Sequence, residues 1–139
     1  MPTVYNLYMQ GEYKLLRVKQ GICHFAHVTI EVELMPSGVE VTEQVERLTE
    51  YQSNSPIPYI ASEWIEAAIS GAKRGARALL HQEVITGCHV VVQCVVGVEV
   101  DTTPEDVACA ATLATWSALN PEAPLPQFDF IDRKWHITL

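Results

Sequence analysis

The chain has 139 residues, 48% of them hydrophobic and 19% charged, with 17 acidic against 9 basic side chains for a net charge of −8. That length and apolar content fit one globular domain with its own core and exclude a disordered tail. The acid excess excludes a surface built throughout for naked nucleic acid, though not a local basic patch. The opening residues, MPTVYNLYMQGEYK, lack the basic-then-apolar pattern of an export signal, and no apolar run reaches the ~18 residues of a membrane span. The expectation is a cytoplasmic protein without a membrane partner. Cys23, Cys88, Cys94 and Cys109 form no CxxC pair, so neither a zinc ribbon nor a redox pair is indicated, and reduced thiols are expected.

Strands are predicted first. Residues 3–9 and 12–18 read as two strands with Gly11 as the turn between them. Residues 27–34, HVTIEVEL, alternate Val28, Ile30, Val32 and Leu34 with polar partners, the pattern of a strand with one buried face. Pro36-Ser37-Gly38 then turns the chain, and residues 39–41 are expected to pair back as a hairpin. Residues 42–58 are polar. Val41, Val45 and Leu48 have helical spacing and residues 53–58 have loop composition, so the segment reads as an exposed excursion.

A helix is predicted over about 62–82. Ser62 can cap it, and Glu63 and Glu66 suit its positive end. Trp64, Ala68, Ala72, Ala76 and Leu79 mark the buried stripe. Gly71 and Gly75 each weaken a helix by about 1 kcal/mol, which points to another backbone packed closely there. Lys73, Arg74 and Arg77 form the one dense basic patch.

Residues 88–100, CHVVVQCVVGVEV, read as the central strand. Strict alternation puts Val90, Val92, Cys94, Val96, Val98 and Val100 on the helix-covered face, with Gly97 allowing a bend. A second helix starts at about 104: Thr103 is the N-cap, Pro104 the first helical residue and Asp106 the capping-box partner. Asn120-Pro121 ends it. Between Asp106 and Asn120 the helix carries no charge. Val107, Ala110, Ala111, Ala114 and Ala118 suit close packing on a sheet. The other side shows Ala108, Thr112, Thr115 and Leu119, so something is expected to cover it: the tail, a second copy or a larger partner. The tail, 126–139, has room for a last strand with Phe128, Phe130, Trp135 and Ile137. This order of strands and helices defines an α+β layer of sheet and helices in a single domain.

Three stretches resemble domain IV of translation elongation factor G, over roughly residues 18–125. GICHFAHV (21–28) is similar to the family's GxGQYGHV. Ile57-Pro58 followed by WIEAAISG (64–71) is similar to its I-P and the helix Y-I-P-A-V-x-x-G. EVDTT (99–103) followed by Ala110-Ala111 is similar to DVDSS and a following Ala-Ala. The resemblance implies a sheet with two helices on one face and a left-handed βαβ crossover, against the usual hand. It also implies tip loops at Asn54, Ser55, Ile57, Pro58, Val98 and Glu99, and a strand–helix junction at Asp101, Thr102 and Thr103. The departures fall at those tips. Val98 stands where the family has its tip histidine, Asn54-Ser55-Pro56 replaces Gly-Gly, about three residues are inserted between Pro58 and Trp64, and Ala26 replaces a glycine. No GxxxxGK[ST] occurs, so the chain carries no P-loop GTPase.

Other constellations are weaker. Cys23 and His27 share a strand face while His24 points the other way, so a metal site needs a third ligand such as His89 or Cys88, and none is expected. Cys94 and Cys109 read as packing residues, and a Cys88–His27 nucleophile pair lacks a thiolate-stabilising setting. Asp101 beside a helix N-terminus opposes an anion, which makes capping the role of this junction. The expected function is therefore a stand-alone, non-enzymatic module without cofactor. It would contact the ribosome or a structured RNA through Lys73, Arg74 and Arg77. The alternative is a protein-interaction or self-assembling domain, with self-association through the uncharged helix 104–119.

Overall fold

A computed structural model describes residues 8–46, 62–98 and 100–139. In chain order the elements are β1 (Tyr8–Lys19), β2 (Ile22–Leu34), β3 (Gly38–Glu43), α1 (Ser62–His81), β4 (Gly87–Val96), α2 (Pro104–Leu119), β5 (Phe128–Ile131) and β6 (Lys134–Ile137). The fold is α+β. A four-stranded sheet of order β1-β2-β4-β3 carries both helices on one face, and β5 and β6 form a separate two-stranded ribbon.

β1 and β2 make one long antiparallel hairpin, closed at Gln20 and Gly21, both at positive φ (54° and 77°). Two such residues give the tight turn that matches strand twist. Gly11 is not a turn. It lies inside β1 opposite Ile30, and a side chain there would run into the Ala114 carbonyl of α2. The glycine lets the helix backbone lie directly on the strand.

The register puts Leu15, Ala26, Val28, Ile30, Val32, Cys88, Val90, Val92 and Val95 on the helix-covered face, all with no exposure. Residues 39–41 do not pair back on β2. β3 pairs in parallel with β4, which occupies the place between β2 and β3. The α1 crossover returns the chain beside β3, and the most apolar strand takes the interior position, where it is flanked on both sides.

β4 also breaks its alternation. The register against β2 shifts between Thr29 and Ile30, leaving Gln93 unpaired as a bulge. One extra residue moves every later side chain to the other face. Val95 therefore enters the core and Cys94 is exposed, contrary to strict alternation. Val98 and Val100 lie beyond the strand and are exposed, Val100 at 86%.

α1 buries Trp64, Ala68, Ala72, Ala76 and Leu79. α2 begins with the expected box: Thr103 Oγ1 accepts from Asp106 N, and Thr103 N donates to Asp106 Oδ2. It ends at Leu119 with Asn120 as C-cap. The uncharged side of α2 is covered from within the chain. Gly71 and Gly75 of α1 leave room for the Ala108 and Thr112 backbone, and Thr112 Oγ1 donates to Gly71 O at 2.8 Å. Thr112 and Thr115 are buried, so the surface expected to serve self-association through residues 104–119 is not available to a second copy.

The tail forms two strands rather than one. Asp132 and Arg133, at φ 53° and 64°, make the tight turn between β5 and β6. Trp135 and Ile137 are buried where the ribbon packs against α2, and Phe128 stands edge-on to Tyr13 at 6.0 Å.

Candidate functional site

Polar and charged side chains gather in three places: the strand–helix junction, a buried network beneath it, and the basic face of α1.

At the junction Thr102 is a structural pin. Its hydroxyl donates to Phe25 O at 2.6 Å and accepts from Val98 N at 2.7 Å. Phe25 N donates to Asp101 O at 2.9 Å, so the loop before α2 extends the edge of β2. Gly97 lets the Trp64 ring and the Thr102 methyl close over the loop; a Cβ there would be 2.8 Å from each. Asp101, Thr102 and Thr103 thus build the turn and the cap. Of the expected tip residues, Val98 is exposed; Asn54, Ser55, Ile57, Pro58 and Glu99 lie outside the described residues.

Beneath the junction lies Asp106, fully buried. Its carboxylate collects three partners: Thr103 N at 3.0 Å, Trp135 Nε1 at 2.8 Å and His24 Nδ1 at 2.9 Å. Main-chain and indole N–H groups only donate, so the carboxylate is the acceptor at both oxygens. His24 Nδ1 completes the set as a third donor. Its Nε2 is buried and has no hydrogen-bond partner among the described residues. The His24 ring packs against Phe130 at 4.4 Å and Trp135 at 5.6 Å. Among the described residues no hydroxyl or thiol bonds to His24, so the dyad has no nucleophile to activate. Cys109, one turn further along α2, is no substitute: burial, reinforced by the Asp106 charge, pushes its thiol up to about 12.

A pocket of about 650 Å³ opens beside this network, between the β1–β2 turn, the start of α2 and the β5–β6 turn. No local pattern in the chain announces it. Alternation correctly put His24 and His27 on opposite faces. What it could not show was a partner 82 residues away. His27 instead bonds Glu12 at 3.0 Å on the open face, and His89 bonds Thr42 at 2.8 Å. Among the described residues no three His, Cys, Asp or Glu side chains converge as metal ligands.

The basic residues share one face of α1. Lys73, Arg74 and Arg77 line a shallow depression of about 530 Å³ together with Ser70 and His81. Among the described residues none of these three cations is ion-paired within 4.0 Å. The open face of the sheet differs in character. Leu16 and Val18 of β1 are 52% and 68% exposed there, opposite Phe25 and Cys23 of β2. No helix among the described residues is long and apolar enough to cross a membrane.

No family model and no curated protein matches the chain. Among solved structures, the crystal structure of ttk003000868 from Thermus thermophilus is similar over 82% of this chain, with a TM-score of 0.62 and 19% identity. The match takes in 16% of that chain, so the present chain corresponds to a small part of a longer protein. At this identity the likeness defines the class, a two-layer α+β domain, and nothing finer.

Proposed function

We propose that the domain is a non-catalytic binding module of the elongation factor G domain IV type, contacting structured RNA of the ribosomal kind through the basic face of α1. The observation that carries this is the grouping of Lys73, Arg74 and Arg77 along one helical face, without ionic partners among the described residues, in an otherwise acidic molecule. Cations four apart on a helix are about 6 Å apart along its axis and present a line of donors to a phosphate backbone. The strand order, the two helices on one face and the tight α2 cap are compatible with that family's architecture.

Co-sedimentation with ribosomes at low and physiological salt tests the reading. Binding is expected to weaken with salt, and the K73E/R74E/R77E variant is expected to lose it, with the salt slope falling by about one for each lost contact. Unchanged co-sedimentation of the triple variant removes the patch from the argument. A protein-interaction role is the second reading, favoured by the exposed Leu16 and Val18 on the open sheet face.

A further inference from the structure

The four-stranded sheet has two outer strands, β1 and β3, and they are unlike. β3 is six residues long and carries the exposed Glu40. β1 is twelve residues long, free of proline, and paired to β2 without a register shift. Short, charged edges resist pairing with another chain, and long regular ones invite it. We infer that β1 is a pairing edge for a second copy of this chain, joined antiparallel about a two-fold axis at Tyr13.

The turn decides which main-chain groups are on offer. With a two-residue turn at Gln20 and Gly21, Lys19 and Ile22 form a hydrogen-bonded pair. The odd-numbered residues of β1 therefore turn N–H and C=O to β2, and the even-numbered ones turn theirs outward. Among the described residues, the outward groups of Gln10, Glu12, Lys14, Leu16 and Val18 carry one hydrogen bond, donated by the Arg17 guanidinium to Leu16 O at 3.1 Å. Arg17 is exposed, so water replaces Leu16 O as its partner on pairing.

The side chains decide the register. An axis at Tyr13 sets Glu12 against the partner's Lys14, and Lys14 against the partner's Glu12. It sets Leu16 against the partner's Gln10 and Val18 against the partner's Tyr8, which covers two side chains that are 52% and 68% exposed. Opposite charges across a strand pair stabilise it and like charges directly opposite destabilise it. An axis at Glu12 or at Lys14 sets like charges face to face. An axis at Gly11 or Leu15 sets each charge against a neutral residue. Tyr13 is also midway between Tyr8 and Val18, so the register that matches charge has the longest overlap. The pair gives the protein-interaction reading a definite partner and does not rest on RNA binding. α1 packs over β3 and β4 at the other side of the sheet, so its basic face stays open.

Sedimentation velocity of the full chain tests this, at up to about 1 mM, where an interface of small area is still populated. A dimer is expected. Amide exchange by NMR is expected to show concentration-dependent protection of Gln10, Glu12, Lys14 and Leu16, while Gly11, Tyr13 and Leu15 stay protected at every concentration. E12K and K14E each create two like-charge pairs across the axis and are expected to raise the dimer Kd at least about tenfold. E12K/K14E exchanges the signs and is expected to restore the Kd to near the wild-type value. The Glu12–His27 bond is lost in E12K and in the double variant alike, so rescue reports the contact between copies. K73E/R74E/R77E is expected to remain a dimer, which lets this inference and RNA binding fail separately. A monomer at about 1 mM overturns the inference. So does protection of the even-numbered amides in a monomer, since the chain itself would then cover the edge. A dimer indifferent to E12K and K14E, or a double variant no tighter than the single ones, overturns it as well.

Discussion

Asp106→Ala is the most informative perturbation of this fold. The substitution deletes the acceptor of three donors at once: Trp135 Nε1, His24 Nδ1 and Thr103 N. Thr103 is exposed, so water replaces its partner. Trp135 and His24 are buried and lose theirs outright, at about 1–3 kcal/mol each. Relief of the buried carboxylate's own desolvation offsets part of this, and the loss of the cap adds about 1 kcal/mol. The expected loss is about 4 kcal/mol, a large share of the roughly 5–15 kcal/mol of a domain. Asp106→Asn keeps Oδ1 for Trp135 and His24 but turns an amide donor toward Thr103 N. It is expected to cost about 1–2 kcal/mol, near the value of a cap alone. Urea unfolding midpoints measure both. Trp135→Phe keeps an aromatic ring and removes the N–H, so a double-mutant cycle with Asp106→Ala should return a coupling of about 1–2 kcal/mol. A loss under about 1 kcal/mol for Asp106→Ala, or equal losses for Ala and Asn, would refute the reasoning, because the carboxylate would then not be what joins β2, α2 and the tail.

The remaining predictions concern packing and the bulge. Gly71→Ala at an ordinary helix site would stabilise by about 1 kcal/mol; here the new methyl meets the Ala108 carbonyl and lies 2.9 Å from Ala108 Cα, so a net loss of roughly 1–2 kcal/mol is expected in the same urea assay. A gain in stability would show that the two helices can separate freely. Thiol labelling of the native protein is expected to modify exposed Cys94 readily, while buried Cys88 and Cys109 react only on unfolding, Cys109 being held back further by its raised thiol. Protection of Cys94 equal to that of Cys88 would place the register as strict alternation has it, without a bulge.

Local signals were legible in the sequence and long-range ones were not. Thr103-Pro104-x-Asp106 announces a helix start because the box is made within four residues, and Gly71 and Gly75 announce a close helix because no other residue permits it. The α+β class follows from the periodicities. The bulge at Gln93 left no mark, since CHVVVQCVVGVEV is apolar on both faces and a period of two cannot show where it slips. The same run explains the misplaced β3. Short apolar strands pair plausibly with any neighbour, and only the crossover through α1 decides in favour of β4. Gly11 looked like a turn for a related reason: its need for close approach comes from Ala114, far along the chain.

Along the chain, the uncharged helix 104–119 calls for a cover, and its cover is assembled from two places: α1 through Gly71 and Thr112, and the β5–β6 ribbon through Trp135 and Ile137. The same ribbon sets Trp135 Nε1 on Asp106 and Phe130 on His24. A residue placed only to close a core would not need a polar contact there, because an apolar core of the same shape is as stable as a satisfied polar one. Asp106 satisfies its own cap through Thr103 with one oxygen, and its other oxygen accepts from Trp135 Nε1 and holds the His24 ring. The network is therefore more than a cap and less than a catalytic triad: one buried carboxylate ties β2, the start of α2 and the β5–β6 ribbon together.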